Sequence, residues 1–460
     1  MRSSIVVLNV EDPYLGTAPG LPRLVDEAYR WYRQGKPVVI ALGAPKAAAV
    51  ASQSLAALLD RCGIPATTVT GGVQSLAETL LALDRFPVVI LQGLHSGETC
   101  DLGAALSEKS GAAFAQLNLV GPDGPAGGQV GEPDGGRLKV GLLGLGVVGR
   151  GVYQSLSSYP ERFEITGIAA REIARPERAA FRHLLSGDPW SVINSDVDVV
   201  IELIGGHEPA HELIAAALRR GKRVVTANKL VVARHGQELS RLAARHHGSL
   251  HFAAAVGGAV PMLEAVNRLR GTSRIESLRG VLNGTCNFVL DELAQGRDFP
   301  EAVEKARSLG FAEADPTLDL DGTDAAHKLT LLARAACGAE LKIENIHRRG
   351  ILELDGRRVC SLAASGKAVR LVASLASGPG GLRARVAPEI VDGSHPFARI
   401  RGEQNCLIAR RADGSEQVLR GKGAGRWPAT VSVMSDVLAL SHLPPRPAVP
   451  AEYLNRGGVA

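Results

Sequence analysis

The chain has 460 residues, 45% hydrophobic and 22% charged, which exceeds one core of ordinary size and predicts two or three domains. Its 52 Lys and Arg against 47 Asp and Glu leave a net charge of +5, too slight to point to a nucleic-acid partner. Residues 1–10 lack the layout of a secretory signal, and no apolar run approaches the roughly 18 residues of a membrane span, so no membrane association is expected. The six cysteines stand apart with no CxxC pair, as expected of reduced thiols in a cytoplasmic protein.

Residues 1–120 are expected to form a small α/β domain. Apolar runs at 4–10, 37–42, 66–69 and 87–92 predict buried strands, and helical periodicity covers 21–34 and 47–62. That alternation belongs to a mostly parallel sheet. The stretches LPRLVDEAYRWYRQGKPVVIALGA and GLHSGETCDLGAALSEKSGAAFAQLNLVGPDG resemble parts of the aspartate-kinase fold. Those kinases hold ATP with a Lys-Phe-Gly-Gly strand-turn, where this chain has Leu8-Asn9-Val10-Glu11. Without a lysine or a glycine-rich nest the triphosphate charge is not balanced, which implies a degenerate domain serving packing or assembly. Residues 121–136 hold seven glycines and three prolines, a composition that predicts a flexible linker.

A strand at 138–143 then leads into Gly144-Leu145-Gly146-Val147-Val148-Gly149 and an amphipathic helix. This GxGxxG sits in its required strand–turn–helix setting and predicts a Rossmann dinucleotide-binding domain. The first glycine allows the tight turn, the second lets backbone approach a pyrophosphate, and the third lets helix and strand close up. The next strand, 163–169, ends at Ala169-Ala170-Arg171-Glu172, with Arg175 and Arg178 following. Arg171 suits the 2′-phosphate of NADP, which is the cofactor expected here; Glu172 as a ribose ligand would instead suit NAD. Strands at 196–204 and 223–226 end at Gly205-Gly206 and Asn228-Lys229, positions that should face a cofactor beyond the carboxyl ends of a parallel sheet. A lysine there is otherwise a solvated charge. A strand over 250–255 runs into Val256-Gly257-Gly258-Ala259-Val260-Pro261, a glycine turn expected to leave carbonyls free.

From residue 274 the pattern changes to an α+β domain. It shows a strand at 275–282, the turn Asn283-Gly284-Thr285-Cys286-Asn287, helices at 288–294 and 300–309, and then the acidic stretch from Glu313 to Lys328. A helix at 325–337, a basic connector at 348–358 and strands at 368–376, 382–387 and 406–409 follow. The turn from Gly421 to Gly425 opens a last helix expected to return to the dinucleotide domain. The boundaries thus read 1–120, a linker at 121–136, 137–273 with 421–441, 274–420, and a loose tail at 442–460.

Residues 137–441 resemble homoserine dehydrogenases. The run Ala306-x-x-x-Gly310-Phe311-Ala312-Glu313-Ala314-Asp315-Pro316-x-x-Asp319-Leu320-x-Gly322-x-Asp324-x-x-x-Lys328 fits that family's signature at every fixed position. It is joined in order by GLGVVG, ELIGG, TANK, VGGAVP, LNGTCNF, HPFARIRG and GKGAGRWPAT. The resemblance implies NAD(P)-dependent interconversion of L-homoserine and L-aspartate 4-semialdehyde, on the path to threonine and methionine, and a homodimer formed through the substrate domain. Lys328 is then the proton donor or acceptor, Asp324 orients it, and Lys229 lies near nicotinamide and substrate. Glu313 and Asp319 bind the substrate, and Asp315 and Asp321 act as turn and capping groups. The backbone oxygens of Val256, Gly258 and Val260 match a sodium site, although its usual glutamate is Ala253 here. Gly425 is expected beside the cofactor. Rival readings are a bifunctional aspartate kinase–homoserine dehydrogenase, a semialdehyde dehydrogenase using Cys286 as nucleophile, and a non-catalytic nucleotide-binding regulator.

Overall fold

The computed structural model describes residues 5–10, 20–34, 38–42, 45–64, 66–70, 88–92, 114–119, 137–171, 173, 181–378 and 381–441. The expected linker and tail, together with Glu172, Arg175 and Arg178, lie outside the described residues. Among the described residues no helix is long and apolar enough to cross a membrane. The chain divides into two compact units: Met1–Thr226 with Leu239–His251 and Thr430–Ala460, and Ala227–Glu238 with Phe252–Ala429. Residues 227–238 and 252–273 therefore group with the second unit, unlike the boundaries read from sequence. The cause is packing: Val232, Val256, Val260, Met262, Leu263, Val266 and Leu269 share one buried core with Leu278, Leu290, Leu329 and Leu332.

The first unit holds two parallel sheets. One is formed by β1 (Ile5–Val10), β2 (Val38–Leu42), β3 (Ala66–Thr70), β4 (Val88–Gln92) and β5 (Phe114–Leu119), in the order β3-β4-β2-β1-β5. Helices α1 (Gly20–Arg33) and α2 (Pro45–Cys62) accompany it. The other comprises β6 (Leu138–Leu143), β7 (Phe163–Ala169), β8 (Leu185–Ser186), β9 (Val199–Glu202), β10 (Arg223–Thr226) and β11 (Ser249–His251), in the order β11-β10-β9-β6-β7-β8. The register places Leu143, Ala169, Glu202 and Thr226 level at the carboxyl ends. Val140, Leu142 and Leu143 of β6, Val199, Val200 and Ile201 of β9, and Val224 and Val225 of β10 are wholly buried, as a sheet covered on both faces requires. Between the strands run α3 (Val147–Leu156), α4 (Pro189–Asn194) and α5 (Ala210–Arg219); α6 (Lys229–Arg245) precedes β11. Residues 253–255, expected as strand, form a 3-10 turn instead; three alanines offer no side chains that hold a pleated strand.

Within this unit α1 docks on the segment after α3. Arg23 donates to the carbonyl of Ser158 and to Glu161 at 2.7 Å, and its guanidinium lies 4.7 Å from the centroid of the Tyr159 ring. Arg33 pairs with Asp436 at 2.6 Å and Arg162 with Glu27 at 3.7 Å. The Asp26 carboxyl is 3% exposed, with the Tyr159 hydroxyl at 3.3 Å. Burial, then the neighbouring Glu27 charge, push its pKa up to about 8. Between 3.8 and about 8 the folded chain keeps a proton that the unfolded chain has lost, so Asp26 costs stability as pH rises through that window. Asp26→Asn, which keeps shape and hydrogen bonding, is expected to raise Tm by a few degrees more at pH 8 than at pH 5. Thermal melts at both pH values check this, and an equal gain would contradict it.

The second unit is built on a sheet ordered β13-β15-β14-β12-β16-β17. Its strands are β12 (Ile275–Val281), β13 (His347–Arg348), β14 (Lys367–Gly378), β15 (Gly381–Asp392), β16 (Gln404–Arg411) and β17 (Glu416–Lys422), antiparallel except for β13 on β15. Its helices are α7 (Met262–Thr272), α8 (Gly284–Ala294), α9 (Phe299–Ser308), α10 (Thr317–Leu320), α11 (Thr323–Cys337) and α12 (Gly356–Ala364); α13 (Arg426–Leu440) follows β17. One buried core joins α7, α8 and α11 to the sheet, and a smaller one gathers Val281, Val372, Val391, Phe397 and Ile408. The β14–β15 hairpin runs longer than expected, through Pro388, because the short β13 pairs only with Arg385 and Val386 and leaves the proline with no amide to supply. Helix α12 begins in the last residues of the expected basic connector, at Gly356, and continues beyond it to Ala364. It buries only Val359, which left no apolar period to read.

Candidate active site

The first unit presents a cavity of about 720 Å³ at the carboxyl ends of β6, β7 and β9. Gly144, Gly146, Ala169, Ala170, Arg171, Gly205, Glu208 and Pro209 are among its lining residues. Each glycine of the motif meets a distinct demand. Gly144 turns with φ +102°, and a Cβ there would stand 2.7 Å from the Leu203 carbonyl oxygen. A Cβ on Gly149 would stand 2.2 Å from the Gly144 oxygen, so α3 lies against the turn. A Cβ on Gly146 would meet nothing within 4 Å, so the space above its backbone is open for a ligand. Val147 and Val148 begin α3, where unpaired amides favour an anion. Gly205 and Gly206 follow β9 at φ +77° and +75°.

Glu202, which the sequence reading passed over, holds that second glycine turn. It is wholly buried, accepts from the amides of Ile204 at 2.7 Å and Gly205 at 3.2 Å, and receives the Thr226 hydroxyl at 2.6 Å. The available signal was a lone acid inside an apolar strand, which needs built-in partners. Arg171 is exposed at the rim beyond β7. The other residues expected near a cofactor, Asn228, Lys229 and Gly425, belong to the second unit. There Asn228 caps α6, accepting from the Val231 amide at 3.2 Å.

The acidic stretch forms a cluster in the second unit. Gly322, at φ +83°, turns the chain from α10 into α11, and Asp324 and Lys328 stand one turn apart on α11. The Lys328 Nζ lies 2.8 Å from Asp324 Oδ2 and donates to the Leu282 carbonyl at 2.6 Å. Lys229 pairs with the other Asp324 oxygen. Asp324 is 3% exposed, whereas 43% of the Lys229 side chain is open to solvent. Asn283, also unforeseen, ties the acids together: its Nδ2 donates to Asp319 Oδ1 at 2.7 Å and Asp324 Oδ2 at 2.9 Å. Its Oδ1 caps α8 at the Cys286 amide, so the helix starts earlier than the expected residue 288. Thr285 lies 3.2 Å from Asp319 Oδ2.

The charges sort the acids. Burial alone would raise the Asp324 pKa, but Lys328 and Lys229 outweigh it and hold the carboxyl well below the usual range. Asp319 moves the other way, raised by burial and by Asp324 against the Asn283 hydrogen bond. Burial works against the Lys229 charge, yet Asp324, Asp319 and Glu313 outweigh it and raise its pKa. Glu313 is exposed. Asp315 and Asp321 are turn groups, as expected: Asp315 accepts from the Thr317 amide at 3.1 Å, and Asp321 from the Thr323 amide at 2.8 Å.

Two further expectations meet the structure here. In the glycine turn the Val260 carbonyl accepts from the Met262 amide at 2.7 Å, so it is engaged rather than free. Cys286 is wholly buried in the first turn of α8, 3.1 Å from the Asp319 carbonyl. Burial and the charges of Asp319 and Asp324 push its pKa well up, which opposes thiolate formation and a nucleophilic role.

With this geometry in place, comparison with known proteins is informative. A family model described as the homoserine dehydrogenase NAD binding domain matches residues 144–253, and one described as homoserine dehydrogenase matches 261–438. The homoserine dehydrogenase of Corynebacterium glutamicum is 34% identical over 323 residues, covering 67% of this chain and 73% of the relative. That of Pseudomonas aeruginosa is 36% identical over 311 residues, covering 65% and 71%. Among solved structures, a homoserine dehydrogenase from Thiobacillus denitrificans superposes with a TM-score of 0.63 at 34% identity, covering 66% of this chain and 73% of that one. A hyperthermophilic archaeal homoserine dehydrogenase in complex with NADPH gives 0.57 at 25% identity, covering 67% and 100%. An open glycine cradle, a lysine–aspartate–lysine cluster and these matches lead to one conclusion: the chain belongs to the homoserine dehydrogenases, oxidoreductases that use a nicotinamide dinucleotide.

Proposed function

We propose that this chain interconverts L-homoserine and L-aspartate 4-semialdehyde, with Lys328 carrying the proton at the substrate oxygen. The observation that carries this reading is the buried contact of Lys328 with both Asp324 and the Leu282 carbonyl. Two of its three N–H bonds are thereby directed, and the third serves a substrate oxygen. The dinucleotide supplies the hydride chemistry; the chain's own work is to position the substrate and move one proton. Asp324 orients Lys328, and Lys229 adds positive charge where the substrate oxygen gains negative charge. Asp319 and exposed Glu313 receive the substrate ammonium. The raised Asp319 pKa marks an acid that lacks enough positive charge around it, which a bound ammonium supplies.

The cofactor is proposed to be NADP. The open backbone over Gly146 fits a pyrophosphate, and Arg171 at the rim of the same cavity fits an added 2′-phosphate. With homoserine as substrate, kcat/KM with NADP is expected to exceed that with NAD by about tenfold or more, the scale of a charge-assisted hydrogen bond. Arg171→Ala should remove most of that ratio by weakening NADP alone. A preference for NAD, or a ratio unmoved in the variant, would overturn the assignment.

A sodium-type cation would rest on the Val256, Gly258 and Val260 carbonyls alone. Val260 already serves Met262 and Ala253 carries no carboxylate, so the fit is weak. Assembly as a homodimer through the second unit is proposed from the family membership. The N-terminal sheet is proposed as a packing module, held by α1 on the dinucleotide unit.

A further inference from the structure

Beyond β9 the chain reads His207-Glu208-Pro209-Ala210-His211, two histidines four residues apart with a glutamate beside the first. In a helical turn that spacing sets both imidazoles on one face. The turn is formed: the His211 amide donates to the His207 carbonyl at 2.9 Å, just ahead of the body of α5. The two rings stack with centroids 5.6 Å apart and planes 22° apart. Each points its Nδ1 at the same atom, Glu208 Oε1, at 3.5 Å from His207 and 3.4 Å from His211. One ligand nitrogen from each histidine lies within 4.8 Å of the other.

These spacings have a chemical meaning. Ligands bound to zinc at about 2.0–2.1 Å in a tetrahedron stand roughly 3.3 Å from one another. The two nitrogen–oxygen separations are already close to that edge, and a modest turn of the rings brings the nitrogens together around an ion. A single ion pair would set one imidazole against the glutamate; here two imidazoles and one carboxylate oxygen converge. The three side chains are 31%, 54% and 22% exposed in chain order, open enough to take an ion from solvent. None of them is assigned above to the substrate or the proton.

We infer that His207, Glu208 and His211 form a binding site for one divalent transition-metal ion on the rim of the dinucleotide cavity. Two imidazoles and a carboxylate suit zinc or cobalt, with water in the fourth position, rather than calcium or magnesium, which take oxygen ligands. Glu208 and Pro209 line the cavity, and the Gly205–Gly206 turn leads directly into His207, so a bound ion would stiffen one wall of the cofactor site.

The test is Co²⁺ titration of the full-length protein, followed by calorimetry and visible absorption. Binding of one Co²⁺ per chain is expected, with the d–d bands of a nitrogen–oxygen site, no thiolate charge-transfer band, and displacement by Zn²⁺. His207→Gln and His211→Gln, both at partly exposed positions, should each weaken binding by at least about tenfold. Absence of binding at millimolar Co²⁺, a thiolate spectrum, or wild-type affinity in either variant would overturn the site. Folding of each variant is checked by circular dichroism, and Glu208→Gln, expected to weaken binding in the same direction, replaces any variant that fails to fold.

Discussion

Replacing Lys328 with alanine is expected to lower turnover at least about a hundredfold, a transition-state loss of about 2.7 kcal/mol or more, with NADP affinity little changed. The asymmetry follows from placement. Lys328 is buried and spends its donors on Asp324 and the Leu282 carbonyl, both in the second unit, whereas the glycine cradle for the dinucleotide lies in the first. Asp324 retains Lys229 as a partner in the variant, so the carboxylate is not left uncompensated. Steady-state homoserine oxidation and a fluorescence titration of NADPH separate the two effects. Arginine at the same position keeps the charge, but a guanidinium is not deprotonated in proteins and cannot hand over or take up the proton, so Lys328→Arg should be almost as slow as alanine. Turnover near the wild-type rate in either variant would remove Lys328 from the proton transfer.

How much of this was legible beforehand depended on whether a signal was local. The glycine cradle was readable because its spacing, the strand before it and the helix after it all lie within about twenty residues. Asp324 and Lys328 were readable as a pair because four residues along a helix is contact distance. Asn283 was not: its amide reaches acids 36 and 41 residues away in the chain, and sequence showed only a polar turn before a helix. Glu202 was hidden for a different reason. Its partners sit within three residues and on the adjacent strand, but the apolar pattern around it invited reading the segment simply as a buried strand. The compact units divide differently from the boundaries read in sequence at residues 227–238 and 252–273, because periodicity marks an apolar face without naming its partner. Only the shared core of Val232, Met262 and Leu329 assigns those residues to the second unit. Strand β17 had too little to read, with Val418 and Leu419 its only apolar residues.

Replacing Asp324 with asparagine is expected to destabilise the second unit by roughly 3–5 kcal/mol, the cost of removing one partner from a buried ion pair. Asp324 is 3% exposed and accepts from Lys328, Lys229 and the Asn283 amide. An asparagine there loses the charge and turns an NH2 group toward at least one of those donors. The lysines hold the native carboxyl well below its ordinary pKa, so its contribution is complete above the ordinary carboxylate range and disappears only as pH falls through the depressed value. The stability gap in urea unfolding should therefore be the same at pH 5 and pH 8 and close only in strong acid. Asp319 gives the opposing case on the same Asn283 amide: its pKa is raised, so charging it costs stability as pH climbs above the ordinary carboxylate range. Asp319→Asn should accordingly leave stability intact or improve it while raising KM for homoserine. A variant at 324 as stable as the native chain, or one at 319 as destabilised as that at 324, would mean the two acids do not divide the work as their surroundings indicate.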